Sequence, residues 1–343
     1  MPRVSRRSQI AQLFDRSGLT ERVLRWRGQS ASPWLTILTY HRVHPDAAPQ
    51  LFDDGVVDAT PESFDAHMGE VKRYFNVVGI DELVAYAHGT PLPPNPIAIT
   101  FDDGYRDNYE LALPILVKHG IRAIFFIATS FISERRTFWW DRVCYTIKKS
   151  QRKHIELSYP SPLRVDLSEC ESVHPILRRV KDRFDLDLDR YLDELNQAAG
   201  VPWSREIDRG FADELLMTWH QVRGLRKAGM DVQSHTRTHR VLQTLRADRL
   251  TDELTGSKQD LERELGEPVR AVSYPVGRDI ATRPWIRRAV REAGYEIGFS
   301  NGSGINHLWA KFDRYNVRRM PVDKNLPFPY FRGILALPYL APA

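Results

Sequence analysis

Cysteine is nearly missing from these 343 residues, with only Cys144 and Cys170 present. Two thiols cannot build a disulfide framework, so a reducing compartment is the simpler expectation. Long apolar runs are missing as well, since no stretch approaches the roughly 20 residues needed to span a bilayer. The opening MPRVSRRSQIAQLFDRSG is basic but has neither an apolar signal core nor a small-residue cleavage site. That argues against ordinary secretion and for a cytoplasmic location. Low complexity is absent too, because 42% hydrophobic and 27% charged residues are the proportions of a globular chain. The length suits one large domain or two ordinary ones.

A charge excess is also lacking over most of the chain. Residues 1–30 carry Arg3, Arg6, Arg7, Arg16, Arg22, Arg25 and Arg27 against Asp15 and Glu21, which accounts for the whole net charge of +5. The remaining residues are balanced, which excludes a globally basic nucleic-acid surface. The basic segment also has a loosely helical apolar pattern, with Ile10, Leu13, Phe14, Val23, Leu24 and Trp26. It fits peripheral contact with the inner face of an anionic membrane, or an amphipathic helix docked on the body of the protein.

Strand-like and helix-like segments alternate along the chain. WLTILTY (34–40), FNVVGI (75–80), IAITF (97–101), IRAIFFI (121–127), MDVQSHT (230–236), VRAVSYP (269–275), YEIGFS (295–300) and NVRRMPV (316–322) read as strands. Helices are expected at 61–73, from Asp81, at 107–120 with Asp107 and Glu110 as a capping box, and at 218–229, 247–265 and 284–293. The alternation lapses over 131–215, which reads as an inserted helical lid. Four parts follow: a basic segment 1–33, a core of 34–130 and 216–325, the insert, and a tail 326–343. Alternation of this kind implies a parallel sheet, either doubly wound or closed as a (β/α) barrel, with function at the C-terminal strand ends. His41, Asp102, Asp103, His235 and Pro275 all fall at such ends, which favours one shared site.

AITFDDGYRDN (98–108) sets two aspartates side by side after a buried strand, where uncompensated charge is expensive. SHTRTH (234–239) spaces His235 and His239 four apart, so one helical turn would aim both imidazoles the same way. Two histidines and a carboxylate make a three-ligand set with an open position, as in catalytic zinc sites. Cobalt, nickel and iron suit the same donors. Trp139, Trp140 and Trp203 read as packing for the insert, with sugar stacking as the alternative. His220 and His307 have no companions at ligand spacing and read as structural.

TFDDGYRDN followed by IRAIFFI resembles the first motif of the polysaccharide deacetylases, the NodB-homology or carbohydrate esterase family 4 enzymes. SHTRTH is similar to the second motif and SYPVG to the third, and LTYHRV resembles the start of the exopolysaccharide and biofilm-polymer subgroup. The resemblance spans 34–130 and 216–322 and implies a distorted (β/α)7-type barrel. It implies that Asp103, His235 and His239 hold one divalent metal, such as zinc, and that Asp102 is the general base that activates water. It further implies that the backbone N–H of Val276 serves the oxyanion. Two departures stand out. Ser273 occupies the position of the base-orienting arginine, for which Arg278 or Arg318 are the replacements in reach. NVRRMPV also lacks the usual general-acid histidine, and His41 is the best substitute. The expected activity is metal-dependent removal of N-acetyl groups from a polysaccharide, an oligosaccharide or a lipid-linked sugar. The alternatives are hydrolysis of a small non-peptide amide, or a catalytically weak carbohydrate-binding relative.

Overall fold

The computed structural model describes residues 6–29, 34–45, 51–168, 172–277, 280, 282–308 and 312–338. Seven strands follow one another in chain order: β1 (Trp34–Tyr40), β2 (Pro96–Phe101), β3 (Ile124–Ile127), β4 (Asp231–Ser234), β5 (Ala271–Ser273), β6 (Ile297–Ser303) and β7 (Val317–Pro321). Each pairs in parallel with the next, and β7 pairs in parallel with β1. The sheet therefore closes into a seven-stranded barrel, which decides between the two architectures that alternation allowed.

Closure explains why the strands read as unbroken apolar runs: both faces are covered, the inner one by the barrel and the outer one by helices. Leu35, Ile37, Ala98, Ile124, Phe126, Ala271, Ile297, Phe299 and Val317 pack together inside. Their neighbours Leu38, Ile99, Phe125, Val272 and Met320 belong to the larger core under the helices. Strand registers Ile37↔Ala98, Phe126↔Gln233, Ser273↔Phe299 and Phe299↔Val317 keep these parities aligned around the barrel. Continued upward, the inner parity turns polar at the C-terminal end: Thr39, Thr100, Asp102, His235, Ser273 and Arg319. The polar end of an otherwise apolar barrel is where the site must lie.

Between β3 and β4 the chain adds helices Thr129–Glu134, Trp139–Lys149, Val173–Asp182, Leu188–Ala199 and Arg205–Leu215. An antiparallel ribbon of His154–Leu157 with Leu163–Asp166 interrupts them, which a purely helical reading of 131–215 misses. The helix expected to be capped by Asp107 starts earlier, and the Asp107 carboxylate instead accepts a hydrogen bond from Arg42 Nε at 2.7 Å. The segment read as a tail contains helix Phe328–Ala336, which packs against helices Arg6–Arg16 and Leu19–Gln29. Arg27 donates to the carbonyls of Leu335 and Ala336 at that helix's end, satisfying acceptors with no partner inside the helix. Docking uses Ala11, Leu24 and Arg27, while Leu13 and Trp26 stay exposed. Cys170 lies outside the described residues.

Candidate active site

Two loops at the C-terminal strand ends carry the paired aspartates and the histidines, and each is pinned by backbone hydrogen bonds. Asp102 N–H donates to Tyr40 O on β1, and the carbonyl of Asp103 accepts from Ala128 N–H beyond β3. His235 N–H donates to Ile127 O, and the carbonyls of Thr236 and Arg237 accept from the first-turn N–H groups of Thr129 and Ser130. The Glu253 carboxylate takes the N–H groups of Arg237 and Thr238, each at 2.9 Å. The histidine loop is therefore irregular, and no helical turn carries His235 and His239. Thr236 (φ 64°) and His239 (φ 52°) lie in the left-handed region, as do Asp103 (φ 75°) and Val276 (φ 62°). Such backbone costs on the order of 1–3 kcal/mol per residue and is retained where surroundings over-determine it, typically at functional sites. Gly277 is required beside Val276: its φ is 65°, and a Cβ there would sit 2.1 Å from the Cβ of Asn301.

Asp103, His235 and His239 are buried and face one another. Both Nε2 atoms lie 3.4 Å from Asp103 Oδ1, and all three ligand atoms fall within 4.8 Å of one another. Donors about 2.0–2.1 Å from a tetrahedral ion sit about 3.3–3.4 Å apart, so the spacing fits a shared cation. The carbonyl of Ser273 lies 2.9 Å from His235 Nδ1. A carbonyl only accepts, so Nδ1 carries a proton, and Nε2 is the nitrogen turned to Asp103 and the one that would bind a metal. Burial pushes the His239 imidazole down to about 3, keeping it neutral. Burial also pushes the Asp103 carboxyl up, but the neighbouring imidazoles outweigh it and hold the group below its ordinary value. Asp103 Oδ1 and His239 Nδ1 are buried and find no hydrogen-bond partner among the described residues. An orphaned carboxylate oxygen facing two imidazoles is the arrangement a metal satisfies.

Asp102 follows the inner parity of β2 and points into the barrel. Arg319 meets it from β7 with a two-pronged contact, Nη1 to Oδ1 at 2.8 Å and Nη2 to Oδ2 at 2.7 Å. Ser273 Oγ adds a longer bond to Oδ2 at 3.3 Å. Burial pushes the Asp102 carboxyl up, yet Arg319 overrides it and holds the group well below the usual carboxylate range. The arginine that grips Asp102 is thus Arg319, whereas the Arg318 side chain lies on the outer parity while its backbone pairs with Asn306. Arg278 lies outside the described residues. Two consecutive arginines in a strand point to opposite faces, and in a barrel both faces are apolar, so pattern alone does not tell which turns inward.

His41 directly follows β1, and its Nδ1 lies 3.0 Å from Asp58 Oδ2. Burial pushes the imidazole down, but the Asp58 carboxylate, reinforced by Asp103 and Asp102, raises it to about 9. Asp58 sits on a short strand, Val57–Ala59, that pairs with Arg42–Val43 just past His41. No sequence motif marks it. The insert supplies the outer wall: the Trp140 ring packs 4.4 Å from the His239 imidazole, and Trp139 Nε1 donates to the carbonyl of His239 at 3.3 Å. Trp140 Nε1 donates to the Tyr105 hydroxyl, which in turn donates to Asp141, each at 2.8 Å. Both indoles are buried and serve as packing behind a site residue.

A family model described as polysaccharide deacetylase matches residues 89–298, more than half of the chain. The chain belongs to the polysaccharide deacetylase family and is an amide hydrolase of the N-acetyl type. Among solved structures it is similar to a Streptococcus pyogenes deacetylase, PplD, in complex with acetate, with 19% identity, 87% of this chain and 96% of that one covered, and a TM-score of 0.56. It is similar to a de-N-acetylase from Aggregatibacter actinomycetemcomitans, with 17% identity, 87% and 98% covered, and a TM-score of 0.54. It is also similar to IcaB from Ammonifex degensii, with 18% identity, 89% and 98% covered, and a TM-score of 0.52. At these identities the likeness is one of fold. Comparison with curated protein sequences gives no significant match.

Proposed function

We propose that the protein removes N-acetyl groups from an N-acetylated sugar polymer or oligomer, using one divalent metal held by Asp103, His235 and His239. The observation that carries this reading is the division of labour between adjacent aspartates. Asp103 faces two imidazoles with an oxygen that no group among the described residues satisfies, while Asp102 faces the same space but is held by Arg319. A dication at the three donors supplies Lewis acidity and lowers the pKa of water nearby.

The chain's own residues do the rest. Asp102, kept ionised by Arg319, is the carboxylate that takes the proton of the attacking water. Ser273 orients both halves of the site, its hydroxyl on Asp102 and its carbonyl on His235. The Val276 backbone N–H is assigned to the oxyanion, held in place by the left-handed turn between Pro275 and Gly277. His41, protonated at neutral pH, gives its proton to the departing amine.

Acetate release from N-acetylglucosamine oligomers tests the reading, measured before chelation, after it, and after adding back zinc or cobalt. Release that stops on chelation and returns with metal is the expected result. Release that persists after the metal is removed, or metal bound with no release from any N-acetylated sugar, overturns it.

The acid role of His41 has its own test in the pH profile. With the imidazole raised to about 9, the basic limb of kcat is expected near that value, where His41 loses its proton. Asp58→Asn removes the carboxylate that favours the protonated form, so the limb should move to lower pH. A limb that stays in place rules out His41 as the acid.

A further inference from the structure

Exposed apolar side chains gather on the helix pair Arg6–Arg16 and Leu19–Gln29. Among the described residues ten large apolar side chains are exposed; Ile10, Leu13, Leu19 and Trp26 are on this pair, and Phe328 and Leu337 bracket the helix it covers. Ile10 is 46% exposed, Leu13 65%, Leu19 41% and Trp26 66%. Helical spacing explains the pattern. Ala11 on the first helix and Thr20, Leu24 and Arg27 on the second face the body of the protein. Ile10, Leu13 and Arg16 make one outward stripe, and Leu19, Arg22 and Trp26 the other. Each stripe is thus two large apolar residues with one arginine, and Arg16 and Arg22 meet no carboxylate among the described residues.

Beside the second helix lies a groove of about 580 Å³, whose charged lining among the described residues is Arg25, Lys72 and Arg73, with no acid. Glu21 is the nearby counter-charge, 2.7 Å from Arg25 and 3.1 Å from Arg73. One carboxylate against three exposed cations leaves the groove positive. Asp15, the other acid of the pair, is turned inward to Arg332.

We propose that this helix pair and its basic groove are a docking face for an anionic bilayer surface. Leu13, Ile10, Leu19 and Trp26 insert to headgroup depth, and Arg16, Arg22, Arg25, Lys72 and Arg73 meet lipid phosphates. The chemistry is that of an interfacial helix: apolar area for shallow insertion, and guanidinium groups for phosphate. Charge complementarity selects the occupant, because an apolar protein partner has no use for an acid-free cationic groove beside the stripes. The inference stands apart from the catalytic reading, since none of these residues belongs to the metal site.

The test is co-sedimentation of the full chain with vesicles of phosphatidylcholine alone or mixed equally with phosphatidylglycerol. Binding is expected with the mixture and not with phosphatidylcholine alone. It should fall as salt shortens the Debye length from about 10 Å at 0.1 M to about 3 Å at 1 M. The double variant Leu13→Glu/Trp26→Glu should lose about ten-fold in bound fraction, with a cooperative thermal transition showing that it remains folded. Lys72→Gln/Arg22→Gln should lose the salt-sensitive part. Equal binding to both vesicles, no binding to either, or wild-type binding by Leu13→Glu/Trp26→Glu overturns the proposal. So does a wild-type dimer that this double variant converts to a monomer without changing its vesicle binding, since the face would then join two copies. Acetate release from soluble oligomers, measured on the same preparations, separates failure here from failure of the catalytic reading.

Discussion

Asp102→Asn is expected to lower turnover by about 10²–10⁴-fold while the bound metal stays, the loss typical of a missing general base. The amide keeps the shape of the carboxylate and one oxygen for Arg319, but it has no basic site for a proton. Asp103→Asn should behave differently. It removes the one anionic donor from the three that face one another, so metal content itself should fall, and turnover with it. Elemental analysis and acetate release on the two variants give the comparison. Metal lost from Asp102→Asn and kept in Asp103→Asn would mean that the aspartates hold each other's roles.

Arg319→Met should be the most destabilising single change at the site. Arg319 and Asp102 are both buried and joined through two hydrogen bonds. Removing one member leaves an unpaired charge in a barrel interior, at a cost of about 3–5 kcal/mol. The sign of the pH dependence follows. With the guanidinium gone, burial raises the folded-state pKa of Asp102, so the loss is present at neutral pH and shrinks as acid protonates the carboxyl. Urea unfolding at neutral and mildly acidic pH reads this directly. Asp102→Asn/Arg319→Met should lose less than Arg319→Met alone, because no charge is stranded. Arg319→Lys keeps the charge but not the fork that grips both oxygens, so it should recover part of the stability and little turnover. A full-strength Arg319→Met protein would show that Asp102 needs no arginine.

What could be read from sequence was what local pattern encodes. The paired aspartates and the two histidines stand out because their neighbours are apolar strands, and TFDDG and SHTRTH keep the chemistry in short segments. Alternation alone leaves a doubly wound sheet and a barrel open, because both bury parallel strands on two faces; the motif resemblance implies the barrel, and the pairing of β7 with β1 bears it out. Arg319 was missed for the same reason: inward and outward parities are alike apolar, and register across β6 and β7 is what turns it in. Asp58 lies 17 residues from His41, on a three-residue strand with no motif of its own. The spacing of His235 and His239 suggests a helical turn, but N–H groups of helix Thr129–Glu134 donating to the loop and the Glu253 carboxylate accepting from it hold a shape that local propensity does not specify.

The closing pair of strands has a consequence for how the protein comes into being. Asp102 directly follows the second strand and its counter-ion lies on the seventh, so more than two hundred residues must be synthesised between them. Until residue 319 leaves the ribosome, the growing chain holds two adjacent carboxylates at the mouth of an open sheet, without the guanidinium that neutralises one of them. Ring closure and charge balance are then a single late event, and a nascent chain stopped before β7 carries both an unpaired sheet edge and an unpaired anion.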